Sequence, residues 1–343
     1  MRIALVLTAS TGGIGRHVAS VVVRLVQRGH AVRIYSPAET SRTQRLDDLG
    51  ADVRPLSRLG RLAGADVVHA HGYKAGAIAL GASTLRPVPL VVTWHNAVLG
   101  QGWSAVGGRL LQRLVARGAD LTLGASTDLV VEARRLGARN SRLAPVAAPV
   151  LGKATVPREA LRRDLGLTEQ DVMIVTIGRL APQKNLGLVL EIARSVRDRP
   201  ELRFLIAGEG PLRDELADRV KADSSNVVLL GHYDDIASLL GAADLALLTS
   251  AWEARALAAQ EALLSGVPLV SARVGGIEEL VDGAAVLFDP HEVGQAVVQL
   301  LDLAQDADRR ASLRAAGLAR AAAWPDEDEV VDELLTCYRR LIA

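Results

Sequence analysis

The stretch Thr249-Ser-Ala-Trp-Glu-Ala-Arg-Ala-Leu-Ala-Ala-Gln-Glu-Ala-Leu-Leu-Ser-Gly-Val-Pro-Leu-Val270 sets two glutamates, Glu253 and Glu261, eight positions apart on an alanine- and leucine-rich run. The run predicts a helix over 253–265, stopped at Gly266 and followed by an apolar strand from Leu269. An apolar run over 245–248 precedes it. Strand, turn, helix and strand make one βαβ unit, with Glu253 at the carboxyl end of its first strand. Eight residues is a little over two turns, so the two carboxylates are expected on nearly one helix face. The apolar spacing makes this a buried helix, where a carboxylate is costly without partners. Vicinal hydroxyls are suitable partners, because one carboxylate accepts both of their hydrogen bonds.

The same alternation runs through the chain. Apolar strands are expected over 3–7, 31–35, 66–70, 90–94 and 120–124, with helices over 16–28 and 107–118. Residues 145–157 are rich in Ala, Pro and Val, lack a period, and read as a linker. Strands then return over 171–177, 202–207, 226–230, 245–248, 269–271 and 286–288, with helices over 185–197, 211–222 and 236–241. Continuous apolar strands separated by helices predict parallel sheets covered on both faces. The expected fold is α/β, with two Rossmann-like doubly wound domains, 1–150 and 151–323. Their ligands should bind beyond the carboxyl ends of the strands, in an interdomain cleft. Residues 324–343 read as an amphipathic helix, which the sequence allows to cross back onto the first domain. Its acids at 326–329 and its Arg339-Arg340 pair suit the helix dipole, so Asp326-Glu-Asp328 reads as capping and not as a metal motif.

The bulk numbers fit. Of 343 residues, 49% are hydrophobic and 23% charged, a globular composition. Aromatic residues are 3%, which argues against a stacking platform for single-stranded nucleic acid. Cys337 is the one cysteine, so no internal disulfide is possible and a reducing compartment is the default. The apolar run at 3–7 is too short for a signal-peptide core or a membrane span, so a cytoplasmic protein is expected. Residues 1–150 carry a net +11 and residues 151–343 a net −10. A basic half favours something anionic, a phosphate-bearing acceptor, a membrane surface or nucleic acid, of which nucleic acid is not expected as a partner. Within it Arg109, Arg113 and Arg117 recur at four-residue spacing, one helical stripe just after Trp103. Such a stripe is most often only solvated; beside the +11 it suggests peripheral contact with an anionic membrane at the inner face of the cell membrane.

Three loops carry the remaining chemistry. Gly178-Arg-Leu-Ala-Pro-Gln-Lys-Asn185 places Arg179 and Lys184 at a strand exit, beside a helix that Asn185 is expected to cap. Two cations there make a diphosphate clamp. Gly275-Gly-Ile-Glu-Glu279 allows backbone N–H groups to approach a ligand. Thr11-Gly-Gly-Ile-Gly-Arg-His17 does the same in the first half. It is not the dinucleotide fingerprint, since Val18 stands where Gly or Ala belongs, and a dehydrogenase is disfavoured. His95 follows a strand and is expected to face the cleft. His69 reads as core, His17 as a packing or capping residue, and His71 as either.

Gly12-Gly13 with His17, Thr93-Trp-His95, Gly178-Arg179 with Lys184-Asn185, Gly208-Glu-Gly-Pro211, and Glu253 and Glu261 followed by Gly266-x-Pro268 and Gly275-Gly276 together resemble the retaining glycosyltransferases of family 4, which have the GT-B fold. The resemblance covers nearly the whole chain. It implies transfer of a hexose-type sugar from a UDP- or GDP-sugar to a sugar, lipid-linked or phosphorylated acceptor, in a bacterial cell-envelope setting that only four lysines against many arginines also suggest. It implies donor-diphosphate binding by Arg179 and Lys184, ribose binding by Glu261, sugar contacts from Glu253, Gly275 and Gly276, and a place for His95 near the donor sugar and the reaction centre, with His95, Glu253, Arg179 and Lys184 as the catalytic set. Leu257 and the backbone near His232 would meet the nucleotide, and Gly12 and Gly13 the donor phosphate. No metal or cofactor is expected, since the two cations stand in for one. The run Glu253-Ala-Arg-Ala-Leu257 departs from the family, whose members often have Gly or Ser and an aromatic there. Alternatives are a nucleotide-sugar 2-epimerase of the same fold, for which the first half offers few acids, and a degenerate transferase acting as a scaffold.

Overall fold

The computed structural model describes residues 1–10, 13–61, 64–83, 88–98, 103–144, 146–147, 151–223 and 226–343. The chain forms two compact units: Met1–Pro149 with Pro325–Ala343, and Val150–Trp324.

The first unit is a seven-stranded parallel sheet. Its strands are β1 (Arg2–Leu7), β2 (Ala31–Ser36), β3 (Asp52–Pro55), β4 (Val67–His71), β5 (Leu90–Trp94), β6 (Leu121–Gly124) and β7 (Ser141–Leu143). They lie in the order β3-β2-β1-β4-β5-β6-β7. The order reverses between β1 and β4, so their carboxyl ends open a crevice at that point. β1, β4, β5 and β6 are buried along most of their length, which is why they were legible as apolar runs. β3 and β7 are short sheet edges with exposed residues, and no apolar run announces them.

The second unit is a six-stranded parallel sheet in the order β10-β9-β8-β11-β12-β13. Its strands are β8 (Val172–Ile177), β9 (Leu202–Ala207), β10 (Val227–Gly231), β11 (Leu245–Leu248), β12 (Leu269–Ala272) and β13 (Val286–Phe288). Here the reversal falls between β8 and β11, which pair through Leu245 with Ile174 and Ala246 with Val175. Residues 151–157 run without helix or strand to the helix Arg158–Asp164.

The last helix, Glu327–Ile342, is part of the first unit. Its N-terminus is a capping box: the Glu329 N–H donates to Asp326 Oδ1 at 2.8 Å, and the Asp326 N–H to Glu329 Oε2 at 3.0 Å. The acids at 326–329 thus close a helix end. Val331, Leu334, Leu335 and Tyr338 then enter the core around Leu5, Val22, Ile34 and Leu123. At about 1.5–3 kcal/mol for each large apolar side chain buried, this face holds the helix down more firmly than its ion pairs do. Those pairs include Arg24 with Glu327 at 2.7 Å and Arg28 with Asp328 at 2.9 Å.

Candidate functional site

In the second unit the switch point between β8 and β11 is where the charged loops meet. β8 ends at Ile177, and Gly178-Arg179-Leu180 follows. The loop is clamped from behind by Gly208-Glu-Gly210. The Leu180 N–H donates to the Glu209 carbonyl at 2.9 Å, and the Leu212 N–H to the Leu180 carbonyl at 3.0 Å. A Cβ on Gly208 would fall 1.9 Å from the Gly178 carbonyl oxygen, so only glycine lets the two backbones touch. Gly208-Glu-Gly-Pro211 therefore supports the Arg179 loop. Arg179 itself is exposed.

Pro182–Lys184 is one turn of 3₁₀ helix, and Asn185 takes a left-handed conformation at φ 47°. Asn185 stands at the N-terminus of the helix Leu186–Ser195 but makes no side-chain cap there, contrary to expectation. A short polar residue tolerates that conformation, and the chain uses it to turn from one helix axis to the next. Thr249, at the end of β11, pins the turn by donating Oγ1–H to the Lys184 and Asn185 carbonyls at 3.1 and 3.2 Å. Gln183 adds two links: its carbonyl accepts the Ala251 N–H at 2.8 Å, and its Nε2–H donates to the Trp252 carbonyl at 3.0 Å.

These links bring Lys184 Nζ to 2.6 Å from Glu253 Oε1, with Glu253 buried to 7% exposure. The expectation that Glu253 begins a helix is wrong. The helix runs Leu257–Leu264, and residues 251–256 precede it as loop. The cause is a tertiary bond, since the Glu253 carbonyl accepts the Gly276 N–H at 2.8 Å instead of closing a helical turn. Glu253 and Glu261 do not share a helix face. Glu261 is buried within the helix, and Leu257 is its half-buried first residue. Gly275, exposed, has φ 51°, and Gly276 beside it is buried. Lys184, Glu253, Gly275 and Gly276 thus form one stitched group at the carboxyl end of the sheet.

Arg255 occupies the position where the family often has an aromatic. Its guanidinium lies 5.6 Å from the centre of the Trp324 ring, and its Nε–H donates to Gln260 Oε1 at 3.3 Å. Burial, and Arg320 nearby, push its pKa down to about 10, so it stays charged at neutral pH. Stacking on Trp324 lets this cation fill a place where an apolar ring would pack. His232 follows β10 and is exposed. Its N–H donates to Glu209 Oε1 at 3.2 Å, and its Nε2 lies 2.9 Å from Asp234 Oδ1. The His232 N–H, on the backbone expected to meet the nucleotide, is thus engaged by Glu209.

The first unit gathers histidines at its own switch point. β4 carries His69 and His71, His95 follows β5, and His17 stands on the helix Gly13–Gln27 that follows β1. The His71 and His95 rings lie nearly parallel with centroids 5.4 Å apart, and His71 Nδ1 is 3.1 Å from His95 Nε2. His17 meets both edge-on, at centroid distances of 5.9 and 5.6 Å. His69 Nε2 lies 2.6 Å from Thr93 Oγ1, and its Nδ1 lies 2.5 Å from the hydroxyl of Tyr338 on the last helix. Burial lowers the pKa of His17 to about 4 and of His69 to about 3. Burial and the neighbouring histidines hold His71 and His95 well below the ordinary value. All four rings are neutral at pH 7. Singly, the histidines were divided between core and function; the structure makes them one cluster. The signal was present in the alternation, because positions 69 and 71 on one strand must share a face.

Gly13 opens the helix Gly13–Gln27, whereas Gly12 lies outside the described residues. Arg109, Arg113 and Arg117 are exposed on the helix Trp103–Gly118. Beside them runs an unexpected stripe: Val106, Leu110 and Leu114, exposed at 58, 70 and 55%. Among the described residues no group of three or more His, Cys, Asp or Glu is placed to hold a metal ion, and no helix is long and apolar enough to cross a membrane.

Two parallel-sheet units, each with its polar groups at the switch point, are the build of a GT-B glycosyltransferase. The solved structures agree. The chain matches Anabaena Alr3699/HepE in complex with UDP at a TM-score of 0.85 and 20% identity, over 99% of this chain and 100% of that one. It matches the sucrose-phosphate synthase of Thermosynechococcus elongatus at 0.80 and 16% identity, over 99% of each chain. Residues 157–320 match the family model "Glycosyl transferases group 1", and residues 12–149 match "Glycosyl transferase 4-like domain". The chain belongs to the group 1 glycosyl transferases. It is 34% identical over 306 residues to the D-inositol 3-phosphate glycosyltransferase of Mycobacterium tuberculosis, an alignment covering 81% of this chain. The chain spans about three fifths, 62%, of the length of the curated relatives it matches.

Proposed function

We propose that the protein is a retaining hexosyltransferase that takes its sugar from a nucleoside-diphosphate sugar, with UDP as the nucleotide. The observation that carries this reading is the Lys184–Glu253 pair, 2.6 Å apart at the second unit's switch point and stitched to Gly275-Gly276. A cation, a buried carboxylate and paired glycines are what a sugar diphosphate needs: charge for the phosphates, an acceptor for sugar hydroxyls, and room for close backbone approach. UDP is favoured because HepE, similar in fold, is solved with UDP and with UDP-glucose.

In the reaction the bond from the sugar's anomeric carbon to the diphosphate oxygen breaks, and a bond to the acceptor oxygen forms on the same face. The acceptor's proton passes to the departing phosphate oxygen. Arg179 and Lys184 stabilise the charge that collects on the diphosphate, and no metal is required. Glu253 releases Lys184 in part to the phosphates and turns its oxygens to the sugar hydroxyls. Glu261 accepts from the ribose hydroxyls. The acceptor is read as a phosphorylated or lipid-linked hydroxyl compound. A +11 charge over residues 1–150 supports this, as does the phosphorylated polyol in the mycobacterial relative's name. The Arg109–Arg113–Arg117 stripe and the apolar stripe beside it support peripheral contact with an anionic membrane.

A thermal-shift panel of UDP, GDP, ADP and dTDP tests the donor. At about 100 times its dissociation constant the right nucleotide adds about 2.7 kcal/mol of stability. UDP is expected to shift the wild type and to fail on Lys184→Ala. A shift with GDP alone would reassign the base. No shift with any nucleotide would remove the transferase reading and leave the scaffold alternative.

A further inference from the structure

The contact between His71 and His95 constrains where their protons lie. At pH 7 both rings are neutral, so each carries one N–H. His71 Nδ1 and His95 Nε2 are 3.1 Å apart, and one proton must lie between them. The other nitrogen of His71, Nε2, is buried and has no hydrogen-bond partner among the described residues. If the shared proton belonged to His95, His71 would carry its own proton on Nε2, a buried N–H with nothing to receive it. Stranded donors are rarer in proteins than under-used acceptors, and each costs the desolvation of a polar hydrogen. With the proton on His71 Nδ1, only a lone pair is stranded.

We propose that His71 is a positioning residue, which donates its Nδ1–H to His95 Nε2 and so fixes His95 as the neutral Nδ1–H tautomer. The neighbours hold this arrangement. The His71 and His95 planes lie within 19° of each other. His69, whose two nitrogens are engaged by Thr93 and Tyr338, stands 4.2 Å from the His71 ring, and His17 closes the edge of both rings. Among the described residues, His17 and His69 are the titratable groups in ring contact with the pair, and both are neutral. The consequence is chemical. His95 then offers a hydrogen-bond donor at Nδ1 to a hydroxyl or phosphate oxygen, and it has no free lone pair with which to act as a general base. This consequence rests on reading His95 as a residue of the transfer reaction; the tautomer itself does not.

The test is ¹⁵N-histidine labelling of the full chain, with long-range proton–nitrogen correlation of the His95 ring at pH 7. The expected pattern is a protonated Nδ1 and an unprotonated Nε2, and the reverse pattern overturns the proposal. His71→Asn keeps an N–H close to the Nδ1 position and is expected to preserve the pattern, whereas His71→Ala is expected to move His95 to the Nε2–H form. Both variants are first checked for a UDP thermal shift. UDP release from UDP-glucose is then followed. The expected fall for His71→Ala is about tenfold in kcat, equal to about 1.4 kcal/mol or one hydrogen bond's net worth, with recovery in His71→Asn. Equal rates in wild type and His71→Ala, with the His95 tautomer unchanged, overturn the proposal. His95→Ala separates the two readings: if it keeps full activity, His95 has no part in transfer, while the tautomer stands or falls on the spectra.

Discussion

A Cβ at Gly275 would stand 2.1 Å from the Glu253 carbonyl oxygen and 2.8 Å from Trp252 Nε1, on a backbone at φ 51°. Gly283 provides a contrast, with φ 81° and open space around it. Substituting alanine at either site costs the left-handed penalty of about 1–2 kcal/mol, and Gly275 adds a steric clash of about 1–3 kcal/mol. Gly275→Ala is therefore expected to lower the urea midpoint clearly more than Gly283→Ala does. It should also displace Glu253 and abolish the nucleotide thermal shift, which Gly283→Ala should keep. Equal midpoints, or an intact shift in Gly275→Ala, would remove the Gly275–Glu253 contact from the site. At this scale the sequence was informative about residue types and poor about their partners. Lys184 and Glu253 were both named, but nothing in either loop reveals that the two meet, since 69 residues separate them.

At the scale of elements, long buried strands were read within a residue or two because their apolar runs have one explanation. The helix over 253–265 was not, because Ala, Leu and Glu favour helix wherever they stand, and a carbonyl captured by Gly276 overrode that preference. The helix Trp103–Gly118 shows another gap. Its arginine stripe was visible, but only the packed structure tells that Val106, Leu110 and Leu114 stay outside the core. The membrane reading belongs to this helix. Flotation with phosphatidylglycerol vesicles is expected to recover the protein at low salt and to lose it at high salt. Removing Arg109, Arg113 and Arg117 together should weaken binding by about 3 kcal/mol, at about 1 kcal/mol for each cation near the surface. Leu110→Ser with Leu114→Ser should weaken it even on anionic vesicles. Binding that ignores salt and both variants would end the reading.

At the scale of the whole molecule, the histidine cluster predicts a pH dependence of stability. The folded pKa values of His17, His69, His71 and His95 all lie below their ordinary value of 6.5. The unfolded chain therefore binds more protons than the folded one in that range. Stability is full above pH 6.5 and falls as the pH drops toward about 4, where His17 titrates, and about 3, where His69 does. Each group contributes up to about 1.4 kcal/mol per pH unit. Asp235 works lower down: Ser238 and Thr155 hold its pKa at about 2, so its stabilisation is complete above 3.8 and is lost below that. Urea unfolding between pH 7 and 4.5 thus isolates the histidines. The midpoint is expected to fall across that window, and His17→Phe should shallow the fall by one proton's worth. A flat profile would mean that the cluster is hydrated or charged in the folded protein.

The sequence alone determined the parallel-sheet architecture, the division into two halves of opposite charge, and the residue types at each strand exit. These follow from local apolar periodicity and from glycine and proline punctuation, which act over a few residues. Only the tertiary structure decided that the last helix completes the first unit's core, that Glu253 pairs with Lys184 from a loop, and that the four histidines pack as neutral rings. Each of these rests on contacts between residues far apart in the chain. Burial and hydrogen bonding at such contacts set conformation and charge state, and local pattern carries no record of them.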